Sequence, residues 1–259
     1  MNYKDELEKM FNSVYNCEGK CQCFSECSKG MENGAEINCN KLKVGKNYDN
    51  SQHIKIMFVG KEDTGKAELT EPAKISNASN PHYIGTFHTL AYLLDKISGE
   101  DFENENNINK EYLKQYDYLY SEFCLTNYFK CAFKESLESH NHDVSINKSM
   151  EKNCPKILTE EIRILKPNII IMQGKFTTAA FWGSRIGTLK NICKHKKTLY
   201  HFKSKNQFDI SVDKYEYLDT NENLYIIWGY HPCAHGRKWY TSLPNFREAI
   251  DIVKKDIMM

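Results

Sequence analysis

Apolar positions along the chain fall into two kinds of run. Ile54–Val59 (IKIMFV), Phe123–Tyr128 (FCLTNY), Asn168–Gln173 (NIIIMQ) and Leu224–Tyr230 (LYIIWGY) are short and rich in aliphatic or aromatic residues, the pattern of strands buried on both faces. Between them the apolar residues recur at helical spacing. Phe87, Leu90, Leu94 and Ile97 predict a helix over 86–98, and Met150, Cys154, Leu158, Ile162 and Leu165 mark the face of a second. Pro167 disfavours helical geometry at Lys166 and so ends that second helix. A last helix is expected to open with Ser242 and Pro244 and to bury Phe246, Ile250, Val253 and Ile257, with Lys254 and Lys255 near its negative end. A short helix over 3–16 precedes a loop of cysteines, glycines and charges reaching about residue 52. Strands alternating with helices imply an α/β layer fold with a mostly parallel central sheet. No linker divides the chain, so residues 1–259 are expected to form a single domain, with the cysteine-rich 1–52 packed onto it.

The 259 residues are 41% hydrophobic, enough to close a core, and carry 35 Lys+Arg against 34 Asp+Glu. Near-neutrality excludes a chain that coats nucleic acid by bulk charge. No apolar run approaches the roughly 18 residues of a membrane span, and MNYKDELEKM lacks the apolar core of a signal peptide, so a cytoplasmic protein is expected. In that reducing setting ten cysteines point to metal binding, catalysis or burial rather than disulfides. Cys17, Cys21, Cys23 and Cys27 fall within eleven residues, too dense for packing alone, and Cys39 follows. Cys124, Cys193 and Cys233 read as small buried hydrophobes.

Each apolar strand runs at once into polar or glycine residues: Gly60-Lys61-Glu62-Asp63-Thr64-Gly65, Thr126-Asn127, Gln173-Gly174 and His231-Pro232. In an open α/β sheet these loops converge on one crevice at the strand carboxyl ends. GKEDTGKA over 60–67 falls one residue short of a phosphate-binding P-loop, with Ala67 where a hydroxyl must hold Mg²⁺ and with Glu62 and Asp63 beside the phosphates, so nucleotide hydrolysis is disfavoured. From Arg185 to Lys205 seven Lys/Arg and no acid make a basic stretch suited to phosphate, in which Lys194, Lys196 and Lys197 are the candidate DNA contacts.

Four patches in order, MFVGKEDTG, LTNYFKC, NCPKILTEEIRILKPNIIIMQGK and YHPCAHGR, resemble the uracil-DNA glycosylase superfamily, most closely its iron–sulfur branch, families 4 and 5. The resemblance implies a three-layer sandwich around a central, mostly parallel four-stranded sheet, and a DNA glycosylase that flips a uracil or modified pyrimidine and hydrolyses its N-glycosidic bond, in DNA repair or in defence against foreign, base-modified DNA. Lys61 in the first loop is the one lysine placed for Schiff-base chemistry, and simple hydrolysis by water is expected. By position the resemblance implies that Asn127 reads the flipped base, Tyr83 in Pro81-His82-Tyr83-Ile84-Gly85 stacks on it, Gly60 and Lys61 line its pocket, and His231 stabilises the departing base. Glu62 or Asp63 would stand near the sugar and the attacking water, and Arg237 or Trp239 would fill the gap left in the duplex. Lys61 stands where the family has Glu, which keeps a target other than plain uracil open.

The same resemblance implies a [4Fe–4S] cluster held by Cys17, Cys21, Cys131 and Cys154, with Cys23 or Cys27 able to replace Cys21; four thiolates equally suit zinc. DNA is the expected partner of a monomer. The rival readings are an inactive DNA-binding module of the same fold and a zinc protein with no nucleic-acid role.

Overall fold

The computed structural model describes residues 3–14, 37–39, 41–50, 54–60, 68–78, 81–128, 130–133, 148–174, 186–203, 209–229 and 238–258. Its strands are β1 (Ile37–Cys39), β2 (Lys41–Val44), β3 (Ile56–Gly60), β4 (Glu68–Thr70), β5 (Phe123–Asn127), β6 (Cys131–Phe133), β7 (Ile169–Gln173), β8 (Cys193–Phe202), β9 (Ile210–Tyr217) and β10 (Asn223–Gly229). The helices that matter for the site are α1 (Tyr3–Val14), α2 (Pro81–Leu93), α3 (Gly99–Glu103), α4 (Lys148–Leu165) and α5 (Lys238–Met258).

One sheet runs in the order β4-β2-β5-β3-β7-β10-β9-β8, and β1 pairs with β6 in a separate ribbon. Its centre, β5-β3-β7-β10, is parallel throughout, as the four apolar runs predicted. The sheet is wider than four strands, however. β2 adds antiparallel to β5, and β9 and β8 continue antiparallel beyond β10. The alternation of β8 (CKHKKTLYHF) is hidden under lysines, and that of β9 (ISVDKYEY) under Asp213. Asp213 is nonetheless fully buried, because Trp228 Nε1 donates to it at 2.8 Å and Thr198 Oγ1 at 2.6 Å.

Successive residues of the central strands face opposite layers. Ile56, Phe58, Phe123, Ile169, Ile171 and Ile227 meet Phe87 and Leu90 of α2 and Phe246 and Ile250 of α5. Met57, Val59, Cys124, Ile170, Met172 and Ile226 meet Leu7 and Met10 of α1 and Leu158 and Ile162 of α4. The result is three layers with an apolar core on each side of the sheet. Helix α4 stops at Leu165, before Pro167, and Lys166 takes a left-handed φ of 43° while its N–H reaches Ile162 O at 2.9 Å. Helix α2 starts at Pro81, five residues before the predicted boundary, with proline in the first turn. Helix α5 starts four residues before Ser242, which leaves Pro244 inside it. Among the described residues no helix is long and apolar enough to cross a membrane.

Candidate active site

Because the four central strands are parallel, Gly60, Asn127, Gln173 and Gly229 all lie at the same edge of the sheet. Backbone bonds stitch that edge: Tyr128 N–H donates to Gly60 O at 2.9 Å and Gly174 N–H to Gly229 O at 3.1 Å. Gly174 has a φ of 112°, which only glycine adopts without strain, so the chain can turn sharply out of β7.

Asn127 is 6% exposed and leans across Gly60 so closely that a β-carbon at residue 60 would sit 2.4 Å from its Oδ1. The glycine therefore supplies the space the amide occupies. The same imagined β-carbon lies 3.5 Å from His82 Cε1, which brings the imidazole to the same notch. His82 Nε2 is 2.8 Å from Gln173 Oε1, Gln173 Nε2 donates to Thr86 Oγ1 at 2.8 Å, and Thr86 Oγ1 donates to His82 O at 3.0 Å. Since Gln173 uses its amide hydrogens on Thr86, its oxygen is left to accept, and His82 carries a proton on Nε2. Two amides and an imidazole thus surround the ends of β3, β5 and β7. Such groups present both donors and acceptors, as the Watson–Crick edge of a base requires.

Gly60 and Asn127 of the expected pocket are brought together. Tyr83 is not: its ring lies 6.2 Å from Phe87 and 6.4 Å from Phe123, centroid to centroid, and its hydroxyl donates to Ala73 O. Phe123 opens β5 and Asn127 closes it, about 13 Å apart at strand rise. The helical turn that packs the half-buried Tyr83 against the core turns its neighbour His82 toward the notch. His82 and Gln173 were not among the residues singled out from sequence. The polar residue closing β7 was the available signal for Gln173, and nothing in the pattern distinguishes His82 from Tyr83. Lys61, Glu62, Asp63, His231 and Arg237 lie outside the described residues.

The candidate DNA lysines sit elsewhere. Lys194 is in register with Glu216, which faces Asn223 at the start of β10, and Lys197 is in register with Lys214, which faces Tyr225. Both positions are toward the sheet edge opposite the crevice, and Lys196 is paired with Glu216 at 3.2 Å. The end of β8 nearest the crevice carries His201 and Phe202 instead, opposite Ser211 and Ile210, with Lys203 following.

Of the expected metal ligands, Cys17 and Cys21, with the alternatives Cys23 and Cys27, lie outside the described residues. Cys154 is buried on α4, and its Sγ accepts the backbone N–H of Lys130 at 3.3 Å, so the chain position of Cys131 is adjacent to it. Cys131 is also the register partner of Cys39 across the β1–β6 ribbon. Directly opposite residues of an antiparallel ladder have Cα atoms about 4.5–5.5 Å apart. Three chain segments bearing cysteines therefore meet beside one end of β5, which fits a thiolate-held group. Among the described side chains no cluster of three His, Cys, Asp or Glu is present. Cys124 and Cys193 are poor ligands: burial, with Glu161 nearby, holds the first thiol well above its usual range, and burial pushes the second to about 12.

The chain matches the family model for the uracil DNA glycosylase superfamily over residues 47–254, which takes in the four parallel central strands and the notch at their ends. No curated protein matches it. With most of its length covered, its parallel core intact and an asparagine closing the second strand of that core, this chain belongs to the uracil-DNA glycosylase superfamily.

Proposed function

We propose that the protein is a monofunctional DNA glycosylase of the iron–sulfur branch, acting as a cytoplasmic monomer on an extruded uracil or modified pyrimidine. The observation that carries this reading is the Asn127 amide held over Gly60 and faced by the His82–Gln173–Thr86 network at the carboxyl ends of the parallel strands. The base enters that notch, Asn127 pairs with its edge, and His82 and Gln173 bound the pocket opposite. The bond from the sugar to the base nitrogen breaks with its electron pair leaving on the base. Water adds to the sugar carbon and gives up a proton to the nearby carboxylate, and the released base takes up a proton in its place. Negative charge on the leaving base calls for a donor, the role assigned to His231, and positive charge on the sugar calls for a carboxylate, the role assigned to Glu62 or Asp63.

A [4Fe–4S] cluster, held by Cys131 and Cys154 with two cysteines from the amino-terminal segment, would act as a staple between distant stretches of chain. Cys39 joins Cys17, Cys21, Cys23 and Cys27 as a candidate for that second pair, on its register with Cys131. Iron and zinc content and visible absorbance of the purified chain decide between cluster and zinc.

The test of the activity is an incision assay on oligonucleotides carrying a panel of natural and modified pyrimidines. The parent is expected to excise at least one of them, and Asn127→Ala or His231→Ala to lower single-turnover excision by about a hundredfold or more. DNA binding without excision of any base would instead make the protein a binding module, and excision undiminished by both substitutions would put the site elsewhere.

A further inference from the structure

Behind the notch lies a fully buried ion pair that the proposed chemistry leaves unused. Lys130 is 0% and Glu161 1% exposed, and Lys130 Nζ donates to Glu161 Oε2 at 2.7 Å. Thr126 joins them: Nζ donates to its Oγ1 at 2.8 Å, and that hydroxyl donates to the same Glu161 oxygen at 2.8 Å. Burying two charges is costly, and an apolar trio of similar size would serve stability as well or better. A core that keeps this arrangement is using its geometry.

The geometry lies around Asn127. Thr126 is the residue before it and Lys130 the third after it, and both are bound by one carboxylate on α4. Thr126 faces α4 while Asn127, next along the strand, faces the crevice, so fixing one side chain sets the rotation of the other. The Lys130 side chain reaches Glu161, and its backbone N–H is held a second time by Cys154 Sγ. Cys154 and Glu161 are seven residues apart on α4, two turns along one face and about 10 Å by helical rise. Helix α4 therefore grips the segment 126–130 at two heights, one at the cysteine and one at the carboxylate.

We infer that Glu161, Lys130 and Thr126 are positioning residues that set the Asn127 amide for base recognition. They touch no base themselves. This inference rests on the glycosylase reading, and its test separates the two. Removing one charge strands the other in the core and destabilises the fold, so the informative variant is the apolar trio Thr126→Val, Lys130→Met and Glu161→Met. The thermal midpoint and the affinity for abasic-site DNA are expected to stay near parental, while the single-turnover rate falls about ten- to a hundredfold, the usual penalty for a displaced contact. In an Asn127→Ala background the same trio is expected to cost less than about threefold further, because both changes remove one interaction. A parental rate in the trio, or a loss that multiplies in full on Asn127→Ala, overturns the inference. If the trio does not fold, Thr126→Val alone is put through the same cycle, with a severalfold, non-additive loss expected and no loss or an additive one overturning it. If the parent excises no base of the panel, the glycosylase reading fails, and hydrogen exchange decides the positioning claim. Faster exchange across 126–131 in the folded variant supports it, and unchanged protection ends it.

Discussion

A single methyl group at position 60 reaches the site. Gly60→Ala places a β-carbon 2.4 Å from Asn127 Oδ1, where the amide has to turn away, and the atom displaced is the end of a side chain rather than backbone. The variant is expected to keep its stability within about 1 kcal/mol while losing excision nearly as far as Asn127→Ala; parallel thermal melts and single-turnover assays check it. His88 makes the opposite case, a residue of consequence for stability alone. It is buried with no hydrogen bond of good geometry at either ring nitrogen, and its ring stacks on Phe102 at 4.9 Å. Burial lowers its pKa from 6.5 to about 4, with Asp101 opposing only in part. The unfolded chain therefore takes up a proton that the folded one refuses. This contribution is complete above pH 6.5, declines as pH falls, and is lost by about pH 4, with a total on the order of 3 kcal/mol. Unfolding midpoints of the parent and of His88→Phe across that window are expected to diverge at pH 7 less than at pH 4.5, with the variant the less acid-sensitive.

At the scale of elements, legibility followed burial. The central strands and α4 were readable because both faces of each strand and one face of the helix are apolar, a pattern that single residues cannot disguise. Asn127 was readable for a related reason, as a polar residue closing an apolar run. The β8–β9 pair was not, since its outward residues are lysines and glutamates and its one inward charge is hidden by hydrogen bonds. The buried Lys130–Glu161 pair was equally hidden, because a lysine after a strand and a glutamate on a helix ordinarily mean solvent. The choice of Tyr83 over His82 turned on a helical rotation that begins at Pro81, earlier than the apolar spacing indicated. The lysines of β8 lie toward the sheet edge opposite the notch. Replacing Lys194, Lys196 and Lys197 together with glutamine is expected to leave the slope of log Kd against log salt for duplex DNA within one phosphate contact of the parent, measured by fluorescence anisotropy.

On the scale of the whole molecule, the apolar core fixes a sheet that gathers at one edge residues spread over more than a hundred positions, from Gly60 through Asn127 to Gln173. The antiparallel extension has an effect of its own. β8 ends the sheet, with β9 as its partner among the described residues, and on its other side about every second one of its ten residues presents a backbone donor and acceptor. An uncovered strand of that length invites another molecule to add on. Register breaks between His195 and Lys197 and between Thr198 and Tyr200, together with the exposed lysines, spoil the docking line. The glutamine variant of these lysines is then expected to scatter light increasingly with concentration, while single-turnover excision per dissolved molecule matches the parent.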